Sequence, residues 1–185
     1  MKRLFAVIGI FALLCGCGSG DDCLERGLRF REKLINSGCS FVAEITADYG
    51  DQIYTFSVGC TADTNGGISF IVISPESISG IAGKLEADSG FLTFGDEVLA
   101  FPLLADGEVS PVSAPWLLIK TLRSGYLSSA GMDGEHLQLT LNDSYEEDAL
   151  LLDVWLNEEN VPIHGDIMWQ GRRMLSISVK DFAFV

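Results

Sequence analysis

The chain opens on an unbroken apolar run and then settles into two alternating patterns, one of helical and one of strand period. Residues 4–14 are apolar or small throughout and follow Met1-Lys2-Arg3. Over residues 22–37, Leu24, Leu28, Arg31 and Ile35 recur at helical spacing and Gly38 supplies a stop, which predicts an N-terminal helix with these residues along one stripe. Strand period follows. Phe41, Ala43 and Ile45 alternate with Val42, Glu44 and Thr46; Tyr54, Phe56 and Val58 alternate with Thr55 and Ser57; Asp48-Tyr49-Gly50-Asp51 turns between them. Residues 68–74 are apolar on both faces, as in a central strand covered on each side, and Pro75 ends them. Residues 80–87, 91–94 and 98–101 continue the series, with turns at Asp88-Ser89-Gly90 and Gly95-Asp96. A second helix reads from Ser113 as N-cap, through Pro115 in the first turn and residues 116–123, to Gly125. It is apolar over most of its circumference.

The last third returns to strands. Leu137, Leu139 and Leu141 alternate, residues 149–157 form the next strand, and Asn157-Glu158-Glu159-Asn160 turns it. Residues 162–170 and 172–185 make a final hairpin around Gln170-Gly171. Leu175, Ile177 and Val179 share a face, and the apolar parity then shifts to Phe182 and Phe184, so a bulge or strand end is expected near Asp181. About eleven short strands and two helices with hairpin-length connections give an α+β fold, one strongly curved antiparallel sheet with helices on one side.

The register of the first hairpin follows if Tyr49-Gly50 is a two-residue loop. Asp48 then faces Asp51, Ile45 faces Tyr54, Ala43 faces Phe56, Phe41 faces Val58, and Cys39 faces Cys60 on the apolar side. Directly opposed cysteines lie within disulfide reach, and closing that loop would contribute about 3 kcal/mol. The alternative is two buried free thiols.

The opening run identifies a secretory segment. It is too short to span a bilayer, which takes about 20 residues. Leu14-Cys15-Gly16-Cys17 at its end reads as a lipobox, in which residues 1–16 are removed and Cys17 is acylated. Gly16 is small and Leu14 stands three residues upstream of Cys17, whereas Cys15 follows bulky Leu14 directly. The alternative is an ordinary secretory signal with two incidental cysteines. Residues 17–21 then form a lipidated tether and residues 22–185 the folded domain, anchored on the extracytoplasmic face of the cell membrane. Disulfides persist in that compartment. Pairing Cys39 with Cys60 leaves Cys23 free or joined to another chain.

Charge narrows the partners. The chain carries 12 basic and 26 acidic residues; removing Lys2 and Arg3 leaves a net charge of −16. That argues against a nucleic-acid partner and against docking on anionic lipid through overall charge. About 168 mature residues suit one domain, with no repeat or linker.

Enzyme signatures are absent. There is no Gly-x-Ser-x-Gly, Ser-x-x-Lys or His-Glu-x-x-His. His136 and His164 each stand alone in a strand pattern and read as exposed strand histidines. No close Cys/His cluster suits zinc. The run Asp143-Ser144-Tyr145-Glu146-Glu147-Asp148 offers oxygen ligands for calcium but lacks EF-hand spacing, and reads better as a solvated hairpin tip. No catalytic residue, metal site or cofactor is expected beyond the covalent lipid on Cys17.

The C-terminal third carries a resemblance. Leu152-Asp153-Val154-Trp155-Leu156-Asn157, an acidic turn, Val161-Pro162-Ile163, Ile167 to Trp169, a glycine turn, and Leu175 to Phe184 with Asp181-Phe182 resemble the lipoprotein-carrier (LolA-type) superfamily of bacterial envelope proteins. The pattern extends over most of residues 22–185. The chain is also similar to lipid-anchored lipoproteins of clostridial and other spore-forming bacteria implicated in germination. The resemblance implies a LolA-like half-barrel whose concave apolar face is covered by helices, and a non-enzymatic binding protein. Its ligand would be hydrophobic and acyl-like, held by Phe41, Phe56, Ile71, Trp116, Leu118 and Leu122. The alternative is an envelope protein partner bound through the outer surface. The helix of Trp116, Leu117, Leu118, Ile119 and Leu122 separates the two, as a lid over a cavity or as a plug that fills it.

Overall fold

The computed structural model describes residues 19–86, 89–94, 97–102, 104–105, 108–147 and 149–185. The order is α1 (Ser19–Asn36), β1 (Cys39–Asp48), β2 (Ile53–Ala62), β3 (Ile68–Ser74), β4 (Ala82–Glu86), β5 (Ser89–Phe94), β6 (Glu97–Pro102), β7 (Leu104–Ala105), β8 (Glu108–Val109), α2 (Ala114–Ser124), β9 (Tyr126–Asp133), β10 (His136–Asn142), β11 (Leu151–Leu156), β12 (Pro162–Trp169) and β13 (Arg172–Phe184). Eleven strands form one open antiparallel sheet, ordered β6-β5-β4-β3-β2-β1-β13-β12-β11-β10-β9, and β7-β8 is a separate ribbon. The expected α+β class, a curved half-barrel sheet with two helices, is what the chain adopts.

The topology explains the position of α2. Two meanders of sequential hairpins meet where β1 pairs with β13. Their far edges, β6 and β9, are consecutive main-sheet strands in the chain, so the segment between them must cross the sheet. Its apolar residues make that crossing on the inner face, where Ala114 to Ile119, Thr121 and Leu122 are buried. Gly125 then turns the chain into β9. A Cβ there would stand 2.6 Å from the Thr121 carbonyl oxygen and 2.9 Å from that of Asn142. Space rather than a left-handed conformation requires this glycine.

The two helices cap one another. Arg31 of α1 donates from Nε to the Leu122 carbonyl near the end of α2 at 2.8 Å. Arg123 of α2 donates from Nε to Leu34 O at 3.0 Å, from Nη2 to Ser37 O at 3.1 Å and from Nη1 to Asp63 O at 2.6 Å. Carbonyls left without intrahelical partners at a helix end are thereby satisfied by a cation, the charge the helix dipole favours there.

Three expectations are corrected. The first hairpin has a four-residue loop closed by Tyr49 N–H donating to Gln52 O at 3.0 Å, so Asp48 pairs with Ile53 and the register moves by two. Cys39 therefore faces Ala62 and Cys60 faces Phe41. The two thiols share the buried face but sit diagonally, and both are free. The direct opposition that a two-residue loop would have given them is therefore absent. Second, α1 turns Cys23, Gly27, Phe30 and Leu34 to the core, while the Leu24, Leu28 and Ile35 stripe is about half exposed. Gly27 sits on the core face because Leu139 fills the space its Cβ would take, 2.8 Å away. Third, β3 is covered on one side only: Ile68, Phe70 and Val72 are buried, Ile71 and Ile73 exposed.

The bulge near Asp181 is present. Asp181 has φ +53° and the β1–β13 register shifts between Ser40 and Val42. The extra residue returns Phe182 and Phe184 to the inner face. Phe182 packs on Phe41 with ring centres 5.9 Å apart, and Phe30 lies 6.3 Å from Phe182 and 6.1 Å from Phe184.

Candidate functional site

The inner face is filled at its centre and open at one end. Leu118 and Leu122 are 0 and 1% exposed. Leu118 Cδ1 comes so near β12 that a Cβ on Gly165 would stand 3.2 Å from it. Trp116 is pinned at the rim, its indole N–H donating to Gly66 O at 3.2 Å with Lys120 Nζ 4.9 Å above the ring. Of the two alternatives for the second helix, lid or plug, its buried Leu118 and Leu122 make it a plug.

The helices pack over β2, β9, β10, β12 and β13. Over β2 to β5 the roof is the short turn before α2, and an apolar cavity of about 400 Å³ lies beneath it. Phe56, Phe70, Val72 and Leu92 come from the inward positions of β2, β3 and β5. Pro111 and Val112 close one side, Ile78 and Ile81 another. The surface these residues present is apolar throughout. Gly83 of β4 makes room for the floor: a Cβ there would lie 2.3 Å from the Phe70 ring. At the mouth, Tyr49 and Tyr54 sit with ring centres 6.3 Å apart, and the Tyr54 hydroxyl donates to Gln52.

Of the six residues expected to hold a hydrophobic ligand, Phe56 lines this cavity. Phe41 is buried in the aromatic cluster beneath α1, and Trp116, Leu118 and Leu122 belong to the plug. Ile71 is corrected outright, being 51% exposed on the opposite face of the sheet. Phe70, Val72, Leu92 and Val112 were not anticipated. Their signal is the alternation that also marks Phe56, but which inward positions stay uncovered depends on where the crossover passes.

Burial pushes the Cys39 thiol up to about 11 against the opposing charge of Arg123; burial, with Cys39 nearby, raises Cys60 further. Cys23 is buried too, so no thiol is offered to another chain at these three positions. His164 is partly buried rather than exposed, with Nε2 3.1 Å from Asp166 Oδ1 and its ring 5.1 Å from that of Trp155. Burial raises the Asp166 carboxyl, but hydrogen bonds from His164 and Ser176 and the charges of His164 and Arg173 outweigh it and hold the group below the usual carboxylate range. Asp143 Oδ1 accepts from the Leu150 amide at 2.8 Å, so the start of the acidic run closes its own turn. No group of three His, Cys, Asp or Glu arranged to hold a metal occurs among the described residues. Asp148, the lipobox and Cys17 lie outside them. No described helix is long and apolar enough to cross a membrane.

No protein-family model matches the sequence, and no curated protein matches it. Solved structures do resemble it at low identity. A putative outer membrane lipoprotein-sorting protein domain from Vibrio parahaemolyticus is 12% identical with TM-score 0.46, covering 89% of this chain and 92% of that one. A LolA superfamily protein from Nitrosomonas europaea is 8% identical with TM-score 0.45, over 86% and 93%. The Mycobacterium tuberculosis lipoprotein LppX is 8% identical with TM-score 0.41, over 84% and 92%. None of these three is described as a spore-germination protein, and the expected likeness to that group finds no support.

Proposed function

We propose that this chain is a lipid-anchored extracytoplasmic binding protein without catalytic activity, and that its ligand is an acyl-like hydrophobic molecule held between β2–β5 and the Pro111-Val112 turn. The observation that carries the reading is the apolar cavity of about 400 Å³. A space of this size lies within the range of about 300–1,000 Å³ usual for small-molecule sites. Such sites add a few polar groups for orientation; here, among the described residues, only the two tyrosines at the mouth bring hydroxyls, which suits a ligand recognised by its chain rather than by a polar head. Each methylene buried adds about 0.8 kcal/mol. Anchoring rests on the lipobox at residues 14–17. A Cys17→Ala variant is expected to leave the membrane fraction and lose its acyl label.

Native mass spectrometry of a soluble form beginning at Gly18, incubated with lipid extract, tests the carrier reading. The expected result is a discrete adduct in the lipid mass range, weakened at least tenfold by Leu92→Trp, which fills the cavity. A clean ligand-free mass across lipid classes overturns it.

A second reading has its own observation. Ile71, Ile73, Phe91 and Val98 are 42–66% exposed on the outer face of β3, β5 and β6, an apolar patch suited to a protein partner. Crosslinking in cells from Ile71→Cys, giving one discrete conjugate while the cavity stays empty, would favour it.

A further inference from the structure

A second concavity, of about 570 Å³, lies between α1, the β11–β12 turn and the end of β13. Its floor is aromatic, formed by Phe30 and Phe184. Its rim is cationic: Arg26, Arg29 and Lys33 recur at helical spacing along one flank of α1. Like charges three and four residues apart on a helix repel. This clustering stands out in a chain where acidic residues outnumber basic ones 26 to 12. The other cations of the fold are engaged elsewhere: Arg31 and Arg123 on backbone carbonyls, Lys84, Arg172, Arg173 and Lys180 on carboxylates, and Lys120 over the Trp116 ring. Arg26 instead meets the neutral Asn160 side chain, and Lys33 lies 4.1 Å over the Phe184 ring. Among the described residues neither has a carboxylate in salt-bridge contact. Arg29 has only the loose, solvent-exposed pair with Glu25 at 3.7 Å. Asp22 and Glu159 complete the rim.

We propose that this groove holds the phosphate-bearing headgroup of a phospholipid from the leaflet in which the protein is anchored. Arg26, Arg29 and Lys33 would face the phosphate, and Phe30 and Phe184 the glycerol and first methylenes. The occupant follows from position as well as charge. Asp22 on the rim is five residues beyond Cys17, and five residues reach at most about 18 Å. An acylated Cys17 therefore keeps the groove at the headgroup layer, so the inference rests on the anchoring proposed above. Asp22 and Glu159 leave the rim one positive charge in excess, which suits a singly charged phosphodiester, and screening over about 8 Å uncouples the more distant carboxylates of this acidic chain.

The test is native mass spectrometry of the full processed chain extracted in detergent, titrated with phosphatidylglycerol, with diacylglycerol of the same chains, and with inorganic phosphate. Phosphatidylglycerol is expected to bind at least tenfold more tightly than diacylglycerol. The Arg26→Gln, Arg29→Gln, Lys33→Gln triple variant should abolish that preference and the single Lys33→Glu weaken it several-fold, while Leu92→Trp leaves it intact. Equal binding of diacylglycerol, or indifference to the rim substitutions, overturns the proposal. Inorganic phosphate that binds as tightly and displaces the lipid makes the groove a free-anion site, and overturns the lipid assignment. Absence of acyl mass on Cys17 in the same spectra overturns the anchoring, and the occupant with it.

Discussion

Replacing Arg123 with Ala should unlatch the two helices from each other. The guanidinium holds Leu34 O and Ser37 O at the end of α1 and Asp63 O in the β2–β3 turn. A hydrogen bond from a charged donor contributes about 1.5–3 kcal/mol. The contact with Asp63 O is exposed, and water replaces it at little cost. Taking the other two at the low end gives a loss of about 3 kcal/mol. For a domain of this size that lowers Tm by about 6–12 °C. Arg31→Gln, which removes the reciprocal contact with Leu122 O, should cost about 1.5 kcal/mol by the same measure. Urea denaturation of the single and double variants reads both values, with unchanged m-values confirming that stability alone has moved. Because the two arginines bridge one helix pair, the double variant should lose less than the sum of the singles. A loss below about 0.5 kcal/mol for Arg123→Ala would refute the latch, since surface substitutions without a structural role fall in that range.

Gly83→Ala places a methyl against the Phe70 ring and should destabilise by about 1–3 kcal/mol while narrowing the apolar cavity, which calorimetry and acyl-probe binding together would register. Asp166→Asn tests the depressed carboxyl: its stabilisation is present above the unfolded carboxylate range and lost as pH falls through the lower folded value. Wild type and variant should therefore differ at pH 6 and converge in denaturation curves towards pH 3; a constant gap would show that the charge is not what stabilises. Cys39 and Cys60 should resist alkylation at pH 8 in the folded protein, and both should label in urea without reductant. Labelling of Cys23 alone in urea would instead reveal a bridge.

Much of the sheet was legible because strand period declares which face a residue takes. Leu137, Leu139 and Leu141, or Leu175, Ile177 and Val179, admit one assignment. The hairpin register did not, for a physical reason: a slip of two residues leaves every side chain on its own face, so apolar pattern cannot separate a two-residue loop from the four-residue loop seen at residues 49–52. Strand β9 went unread because Ser128, Ser129 and Gly131 carry little alternation, as suits an edge strand. In α1, Leu24, Leu28 and Ile35 recur at the same helical spacing as Cys23, Gly27, Phe30 and Leu34, so apolar period leaves two stripes, and the buried one is the stripe on which Leu139 packs against Gly27. The cavity was legible only at Phe56. Its remaining walls depend on the crossover, which fills the centre with Leu118 and Leu122 and leaves the sheet beyond Val112 open.

The pairing of β1 with β13 has a consequence for how the protein is made. Each meander can assemble from neighbouring hairpins as it emerges, but the seam between them joins Cys39 to Phe184, the two ends of the domain. Loop-closure entropy and high contact order make that seam the slow step. No nascent chain contains both sides of it until Arg172 to Phe184 have been added. Until then the two meanders stand unjoined, and a product that stops before Arg172 lacks the central joint altogether, so folding itself inspects whether the last strand has been made.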